Sequence, residues 1–86
     1  MGMVNAVVPD LDALLPAAQA LAARITVNAP ISVRESLGVA RQAQDATDLE
    51  LRAASHAGQQ RNMASEDFQE GPRAFIEKRA PNWKGR

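Results

Sequence analysis

The sequence predicts an all-α fold: a small orthogonal bundle of three to four helices with a short extended N-terminal segment. Three observations support this prediction. Apolar residues recur every three or four positions over most of the 86 residues, which is the spacing of one helix face. Capping residues and prolines divide this pattern into helix-length segments. Only one stretch, at the N-terminus, has the β-branched composition typical of a strand.

Residues 1–9 depart from the helical pattern. Val4, Val7 and Val8 precede Pro9, and this composition predicts one short strand. A single strand has no partner for its backbone hydrogen-bonding groups. We therefore expect the strand to form only where another part of a protein supplies a sheet, and to be frayed otherwise.

The first two helices are predicted over residues 10–28 and 30–44. Leucines and alanines at helical spacing form an apolar stripe on the first helix, and Asp10 suits its N-terminus. Pro16 lacks a backbone donor and is tolerated only in a first turn, so the helix begins near Asp10 or one turn later. The second helix has a weaker stripe and contains Gly38, which costs about 1 kcal/mol relative to alanine. We expect this helix to depend on its neighbours.

A third helix is predicted over residues 47–64. Thr47 and Glu50 have the spacing of a capping box, in which each side chain accepts a hydrogen bond from the backbone amide of the other residue. The apolar side of this helix is mostly alanine, and its polar surface is broad. It is expected to lie at the periphery or to meet a polar partner.

The last helical segment is predicted over residues 66–79, followed by a tail at residues 80–86. Gly71-Pro72 predicts an interruption, with one turn over residues 66–70 and a second helix from about residue 72. Trp83 is the only large apolar residue of the tail. We expect it to fold back and cover a helix.

The composition limits the class of protein. Ten Lys and Arg balance ten Asp and Glu, which argues against a nucleic-acid partner or an anionic membrane surface. The absence of cysteine excludes disulfides, thiolate chemistry and Cys-ligated metal sites. No apolar run approaches the roughly 20 residues of a membrane span, and no leader opens the chain. These observations predict a soluble, cytoplasmic protein of at most one domain.

The predicted core is thin. Seventeen of the apolar residues are alanine, which leaves 22 large apolar side chains among 86 residues. Chains of this size without disulfides or metals rarely build a self-sufficient core. We therefore expect the chain to depend on a partner domain or on copies of itself.

The sequence contains no catalytic constellation, so we predict no catalytic residue and no metal ligand. It has no phosphate-binding glycine loop, no metal-ligand spacing and no nucleophile–base pair. His56 is the only histidine and lies among alanines, where a solvated surface position is expected. Glu66, Asp67 and Glu70 are interpreted as capping and first-turn charges.

The C-terminal cations are the strongest candidates for binding. Five of them flank the aromatic residues Phe75 and Trp83, and such a set could hold a phosphate while a ring stacks on an aromatic base. They are Arg73, Lys78, Arg79, Lys84 and Arg86. The alternative is that they only solvate and terminate a helix. Composition alone favours this alternative.

The most specific signal is the last 22 residues, SEDFQEGPRAFIEKRAPNWKGR. They resemble the C-terminal end of the enoyl-CoA hydratase/isomerase (crotonase) family, S-x-D-x-x-E-G-x-x-A-F-x-E-K-R-x-P-x-(F/W)-x-G-R. Residues 2–9, GMVNAVVP, resemble the G-L-V-N-x-V-V-P strand that precedes the terminal helices of that family. The resemblance covers essentially all 86 residues but only the last third of a family member.

The resemblance implies that the chemistry lies elsewhere. In this family the acyl-CoA site belongs to a preceding spiral α/β domain, which carries the oxyanion-hole amides and the catalytic acids. The helical domain packs on that spiral domain and across the subunits of a trimer. It has no cofactor of its own and meets only the coenzyme A moiety of the substrate, in the intact assembly. Carried over residue by residue, Phe75 would contact the adenine and Lys78 the phosphate of coenzyme A bound to a neighbouring subunit, whereas Arg79 and Trp83 would be structural.

Two interpretations follow. The chain is the C-terminal helical domain of a family protein, non-catalytic alone and serving assembly and the rim of the coenzyme A site. Alternatively, it is a small interaction protein that self-associates or docks on a full-length relative. If the chain folds alone, we expect Val4, Val7, Leu37 or Phe75 to be unusually exposed.

Overall fold

The computed structural model describes residues 2–86 and contains four helices joined by short turns. They are α1 (Leu14–Thr26), α2 (Pro30–Gln42), α3 (Asp48–Met63) and α4 (Glu66–Glu77). Residues 2–86 contain no strand. The predicted all-α fold is confirmed.

The N-terminal segment has no regular structure. Residues 2–9, for which a strand is predicted, have no second strand to pair with, and Val4 and Val7 are 71% and 87% exposed. Met1, the first residue of the predicted strand, lies outside the described residues. The segment therefore has the unpaired state expected where no sheet is supplied.

Helix α1 begins at Leu14, four residues after Asp10. Pro16 is thus in the first turn, where the backbone amides have no intrahelical partner and a proline costs little. The Asp10 carboxylate instead accepts a hydrogen bond from the Ala13 amide at 2.9 Å, in the turn before the helix. The position of the proline sets the start of α1.

Helices α2 and α3 form the most extensive helix pair, and two hydrogen-bonded pairs of side chains join them. The Arg61 guanidinium donates two hydrogen bonds to Glu35, at 2.8 and 2.6 Å, and the Ser32 hydroxyl lies 2.8 Å from the Asn62 side-chain oxygen. Gly58 permits the close approach, because a Cβ atom there would lie 3.3 Å from Glu35 Cβ. These hydrogen bonds join the two helices where Gly58 lets them approach closely.

The capping box predicted at the start of α3 is confirmed. The Thr47 hydroxyl accepts from the Glu50 amide at 3.3 Å, and the Glu50 carboxylate accepts from the Thr47 amide at 2.8 Å. The Glu50 carboxylate also accepts from the Thr47 hydroxyl at 2.8 Å, and the hydrogen bonds from the Thr47 amide and hydroxyl lower the pKa of Glu50. The sequence therefore sets the start of α3 locally.

Helix α4 is continuous, so the interruption predicted at Gly71-Pro72 is wrong. Pro72 lies inside the helix, where it cannot donate to the Phe68 carbonyl. The helix persists because both of its ends are fixed. The Ser65 hydroxyl accepts from the Phe68 amide at 3.1 Å, and the C-terminal tail bonds to the helix at several points described below.

The chain is open and thinly packed. Its accessible surface is 7325 Å², whereas a compact protein of its mass exposes about 4,900 Å². Its radius of gyration is 16.4 Å, against about 12 Å for a compact chain of this length. Among residues 2–86, Ala74 is the one buried apolar residue.

The exposure expected of the large apolar residues is confirmed. Leu37 is 47% exposed and Phe75 is 85% exposed, in addition to the two valines of the N-terminal segment. Within the described part of the chain, no helix is long and apolar enough to span a bilayer. The cytoplasmic location stays a prediction.

Candidate functional site

The C-terminal tail, residues 80–86, runs back along α4 to its N-terminus. The Arg86 carbonyl accepts hydrogen bonds from the Glu66 and Asp67 amides at 2.8 and 3.3 Å. The Asp67 side chain is buried and accepts from the Lys84 and Gly85 amides at 2.7 and 2.8 Å. The tail thus satisfies amides that a helix N-terminus leaves free, and α4 satisfies amides of the tail.

An ion pair fastens the other end of α4. The Arg79 guanidinium donates two hydrogen bonds to Glu70, at 2.6 and 3.1 Å, and one to Glu77 at 2.5 Å. Glu70 also accepts from the Asn82 amide at 2.8 Å. The hydrogen bonds from Arg79 and then from Asn82 lower the pKa of Glu70 to about 2. The Glu70 carboxylate therefore joins α4 to the start of the tail.

Trp83 folds back as predicted. Its ring lies 3.4 Å from the position that a Cβ atom on Gly71 would occupy, so the glycine makes room for it. Its indole nitrogen donates to the Val27 carbonyl at the end of α1, at 2.8 Å. Arg34 of α2 donates to the Gly85 carbonyl at 3.4 Å. The tail therefore connects α4 to both α1 and α2.

Phe75 and Lys78, the two predicted site residues, lie at the C-terminal end of α4. They are three positions apart, and the Lys78 amide donates a hydrogen bond to the Phe75 carbonyl at 3.2 Å. Phe75 is 85% exposed and Lys78 is also exposed. Within residues 2–86, the Lys78 ammonium group forms no hydrogen bond or ion pair, whereas the adjacent Arg79 is fully engaged. An aromatic ring and a cation are thus presented together to solvent.

Lys78 has an uncommon backbone conformation. Its φ and ψ are 54° and 40°, which is the left-handed region, and it is the C-cap of α4. This conformation allows the Lys78 amide to bond to the Ala74 and Phe75 carbonyls, and the Arg79 amide to bond to Ala74 at 3.1 Å. Ala74 is 1% exposed. The end of the helix is therefore anchored on a buried residue next to Phe75.

Comparison with known protein families assigns the chain to one family. The family model for enoyl-CoA hydratase/isomerase matches residues 1–86. The chain belongs to this family. It is 38% identical over 86 residues to an enoyl-CoA hydratase of Mycobacterium tuberculosis, an alignment covering all of this chain and 32% of the relative. It is 38% identical over 85 residues to a mevalonyl-coenzyme A hydratase of Aspergillus fumigatus, covering 96% of this chain and 31% of the relative.

Solved structures give the same result. An enoyl-CoA hydratase/isomerase from Mycobacterium abscessus superposes with a TM-score of 0.85 at 36% identity, covering 99% of this chain and 33% of that one. Another from Mycobacterium paratuberculosis superposes with a TM-score of 0.78 at 36% identity, covering 87% of this chain and 30% of that one. The chain spans about a third of the length of these family members.

The structure divides the family-like ending into two groups of residues. One group holds the tail on α4 through buried atoms, ion pairs and ring packing: Ser65, Asp67, Glu70, Gly71, Ala74, Arg79 and Trp83. The other group is directed outward and comprises Phe75 and Lys78. Most of the motif therefore holds the chain together, and two residues remain for a ligand.

Sequence reasoning missed the roles of Asp67 and Glu70. Both lie near the start of α4, as interpreted, but their carboxylates accept hydrogen bonds from the tail. Arg79 lies nine positions after Glu70, a separation that no local helical pattern connects. The available signal was that Asp67 and Glu70 are three positions apart and so share one face of the helix.

The remaining titratable residues do not form a second site. His56 is exposed, and its ring nitrogen Nε2 lies 3.2 Å from the side-chain nitrogen of Gln60, one helical turn later. No carboxylate orients the ring. Within the described residues, every buried side-chain nitrogen or oxygen already has a hydrogen-bond partner.

Proposed function

We propose that this chain is the C-terminal helical part of a cytoplasmic enoyl-CoA hydratase/isomerase family protein that acts on acyl-CoA thioesters. In this proposal it serves subunit assembly and the rim of the coenzyme A site, and it does not catalyse alone. The observation that carries the proposal is the division of the family-like ending. Within residues 2–86, the polar side chains at the specified positions of the motif are engaged in hydrogen bonds or ion pairs, except Lys78, which follows the exposed Phe75 by three positions.

The chemistry of this pair suits the nucleotide end of coenzyme A. An ammonium group is a compact point charge that binds phosphate, and an exposed ring stacks on a base with about 1–3 kcal/mol. The two relatives described above carry coenzyme A or enoyl-CoA in their names. We assign Phe75 to the adenine and Lys78 to a phosphate.

The same observations argue against catalysis by the isolated chain. Polarising a thioester needs preorganised donors aimed into a water-excluded cleft. The described residues bury one apolar side chain and have no buried polar side-chain atom without a partner. The proposed partner is therefore the spiral α/β domain of a family subunit, which supplies the cleft, and the acyl-CoA is bound tightly and turned over only in that assembly.

A turnover assay tests the catalytic part of this proposal. The purified 86-residue chain is expected to hydrate crotonyl-CoA no faster than buffer, because it has no oxyanion hole. Robust turnover, proportional to the concentration of the chain and retained after repeated purification, would contradict the proposal.

A titration with coenzyme A, followed by amide chemical shifts, tests the binding part. Binding is expected to be weak, with a millimolar Kd, because one rim contact offsets little of the ordering cost. The shifts should concentrate at Phe75 and Lys78, should disappear in Lys78→Ala, and should persist in Arg73→Ala, which removes a cation from the same helix. Shifts that survive in Lys78→Ala would place the ligand elsewhere.

The second candidate function is that of a small helical protein that self-associates or docks on a full-length relative. It is favoured by an accessible surface roughly half as large again as that of a compact monomer. A groove between α1 and α2, lined by Ile25, Val33, Leu37 and Ala40, is the corresponding apolar face. Light scattering separates the candidates, because a stable trimer favours self-association and a monomer at high concentration contradicts it.

A further inference from the structure

We infer that Glu70 and Arg79 are positioning residues: their ion pair holds Lys78 in its left-handed conformation and so fixes Phe75 and Lys78 as one preformed binding surface. This inference rests on the proposed coenzyme A function, because it concerns the same two residues. In this inference, Glu70 and Arg79 set the geometry of that surface without touching the ligand.

The first step is the conformation of Lys78. Its φ of 54° lies in the region that glycine adopts freely and that asparagine tolerates through local hydrogen bonds. Lysine has neither advantage, so its presence at this helix end is locally unfavourable. Residues held in such a conformation mark functional sites when the surroundings enforce the conformation. Glycine or asparagine would stabilise this helix end better, so stability does not account for the choice of lysine.

The second step is what enforces this conformation. Directly after Lys78, the Arg79 guanidinium makes two hydrogen bonds to Glu70, more than two turns back along α4, and a third to Glu77. Glu70 accepts from the Asn82 amide as well. The chain on both sides of Lys78 is therefore fastened to α4. A right-handed Lys78 would direct Arg79 away from Glu70 and break this set of bonds.

The third step is electrostatic. Arg79 is the cation next to Lys78 in the sequence, and two carboxylates neutralise it. Lys78 has no such partner within residues 2–86. A phosphate arriving at this end of α4 therefore meets the Lys78 ammonium group, which is free to bind, and not the guanidinium. The ion pair thus holds the backbone at Lys78 and leaves Lys78, of these two adjacent cations, as the one without a partner within residues 2–86.

The test uses the 86-residue chain with coenzyme A as the probe. Glu70→Gln removes the carboxylate charge at nearly constant shape, and Asp45→Asn, which removes an exposed carboxylate from the turn before α3, is the control. Glu70→Gln is expected to accelerate hydrogen exchange of the Lys78 and Arg79 amides at least about tenfold, since exchange reports local opening. It should also weaken the coenzyme A response several-fold, and Asp45→Asn should change neither.

A rescue variant separates positioning from general support. Lys78→Gly in the Glu70→Gln background should restore slow exchange of the Arg79 amide, because glycine adopts the left-handed conformation without the ion pair. It should not restore coenzyme A binding, because the ammonium group is absent. If Glu70→Gln does not fold, Arg79→Lys replaces it, since lysine keeps the charge but cannot make the double hydrogen bond.

The outcomes are distinguishable. Wild-type exchange at Lys78 and Arg79 in Glu70→Gln, or faster exchange with unchanged coenzyme A affinity, would overturn the inference. An unmodified chain that shows no response to coenzyme A at Phe75 and Lys78 would overturn the proposed function instead. In that case the exchange difference alone still decides whether Glu70 holds the conformation of Lys78.

Discussion

Two regions of this chain are built in opposite ways. The C-terminal unit, residues 65–86, contains the buried residues Ser65, Asp67 and Ala74, and its tail is fastened to α4 at both ends. The N-terminal unit, residues 2–26, has the richer apolar composition, yet α1 contains no buried residue. Apolar content therefore does not measure how far a segment of this chain is packed.

The difference shows which region needs a partner. In the C-terminal unit, polar groups of the tail and α4 satisfy one another, so the fold is specified without a large core. In the N-terminal unit, side chains such as Leu15 and Ile25 are 65% and 50% exposed. Apolar area contributes about 25 cal/mol per Å² only when water is removed from it. This contribution is largely unrealised in α1.

The largest expected effect is the loss of the buried carboxylate of the C-terminal unit. Asp67→Asn should destabilise the chain by about 2–3 kcal/mol, because the amide cannot accept both tail amides as a carboxylate does, and buried donors lose their partner. Urea denaturation measures the change. Asp45→Asn, in the exposed turn before α3, is the matched control and should be neutral. Equal effects would mean that the tail does not stabilise α4.

The next effect concerns the helix pair that lies between the two units. A Cβ atom at Gly58 would lie 3.0 Å from Glu35 Oε2 and 3.3 Å from Glu35 Cβ. Gly58→Ala should therefore displace Glu35 at a cost of about 2 kcal/mol, which exceeds the gain of about 1 kcal/mol in helix propensity and leaves a net loss of about 1 kcal/mol. At Gly38 no atom lies within 4 Å, and Gly38→Ala should stabilise it by up to about 1 kcal/mol through helix propensity. Thermal unfolding compares the two variants. The same sign for both would contradict the described α2–α3 contact.

A smaller effect is expected in the N-terminal unit. Leu15→Gln should change the stability of the monomer by less than about 0.5 kcal/mol, because the leucine is 65% exposed. The same variant should reduce any concentration-dependent association. A loss above about 1 kcal/mol in dilute solution would show that the face of α1 is covered in the isolated chain.

The smallest effect on overall stability is expected from acid. The pKa of Glu70 is lowered from 4.5 to about 2 in the folded chain, so its contribution is present above pH 4.5 and is lost as the pH falls toward 2. In Glu70→Gln this part of the acid dependence should disappear, whereas it should persist in Asp45→Asn, which removes an exposed carboxylate. A Glu70→Gln variant with the same decline of unfolding temperature between pH 4.5 and 2 would contradict the ion pair.

The elements with local signals were predicted from the sequence. Thr47 and Glu50 make the expected capping box, and Trp83 covers α4 as expected. The start of α1 was predicted only to within a turn, because Asp10 and Pro16 gave conflicting signals. The interruption at Pro72 was wrong because bonds from the tail outweigh the local cost of proline.

The candidate site was predicted through family resemblance and not through physics. Phe75 and Lys78 were named from the motif, and the structure adds that they are exposed and that Lys78 is left-handed. The link between Glu70 and Arg79 could not be predicted, because the expected return of Trp83 does not specify which carboxylate of α4 the Arg79 guanidinium meets. Such a pairing follows from tertiary hydrogen bonds that have no sequence periodicity.

Hydrogen exchange of the isolated chain, at a concentration where light scattering shows a monomer, tests the contrast between the two units most directly. The amides of α4 and of residues 84 and 85 should exchange much more slowly than those of α1, because only the former are held by buried hydrogen bonds. Equal protection of α1 and α4 in the monomer would contradict the account. It would mean that α1 is stable without a partner to cover its apolar face.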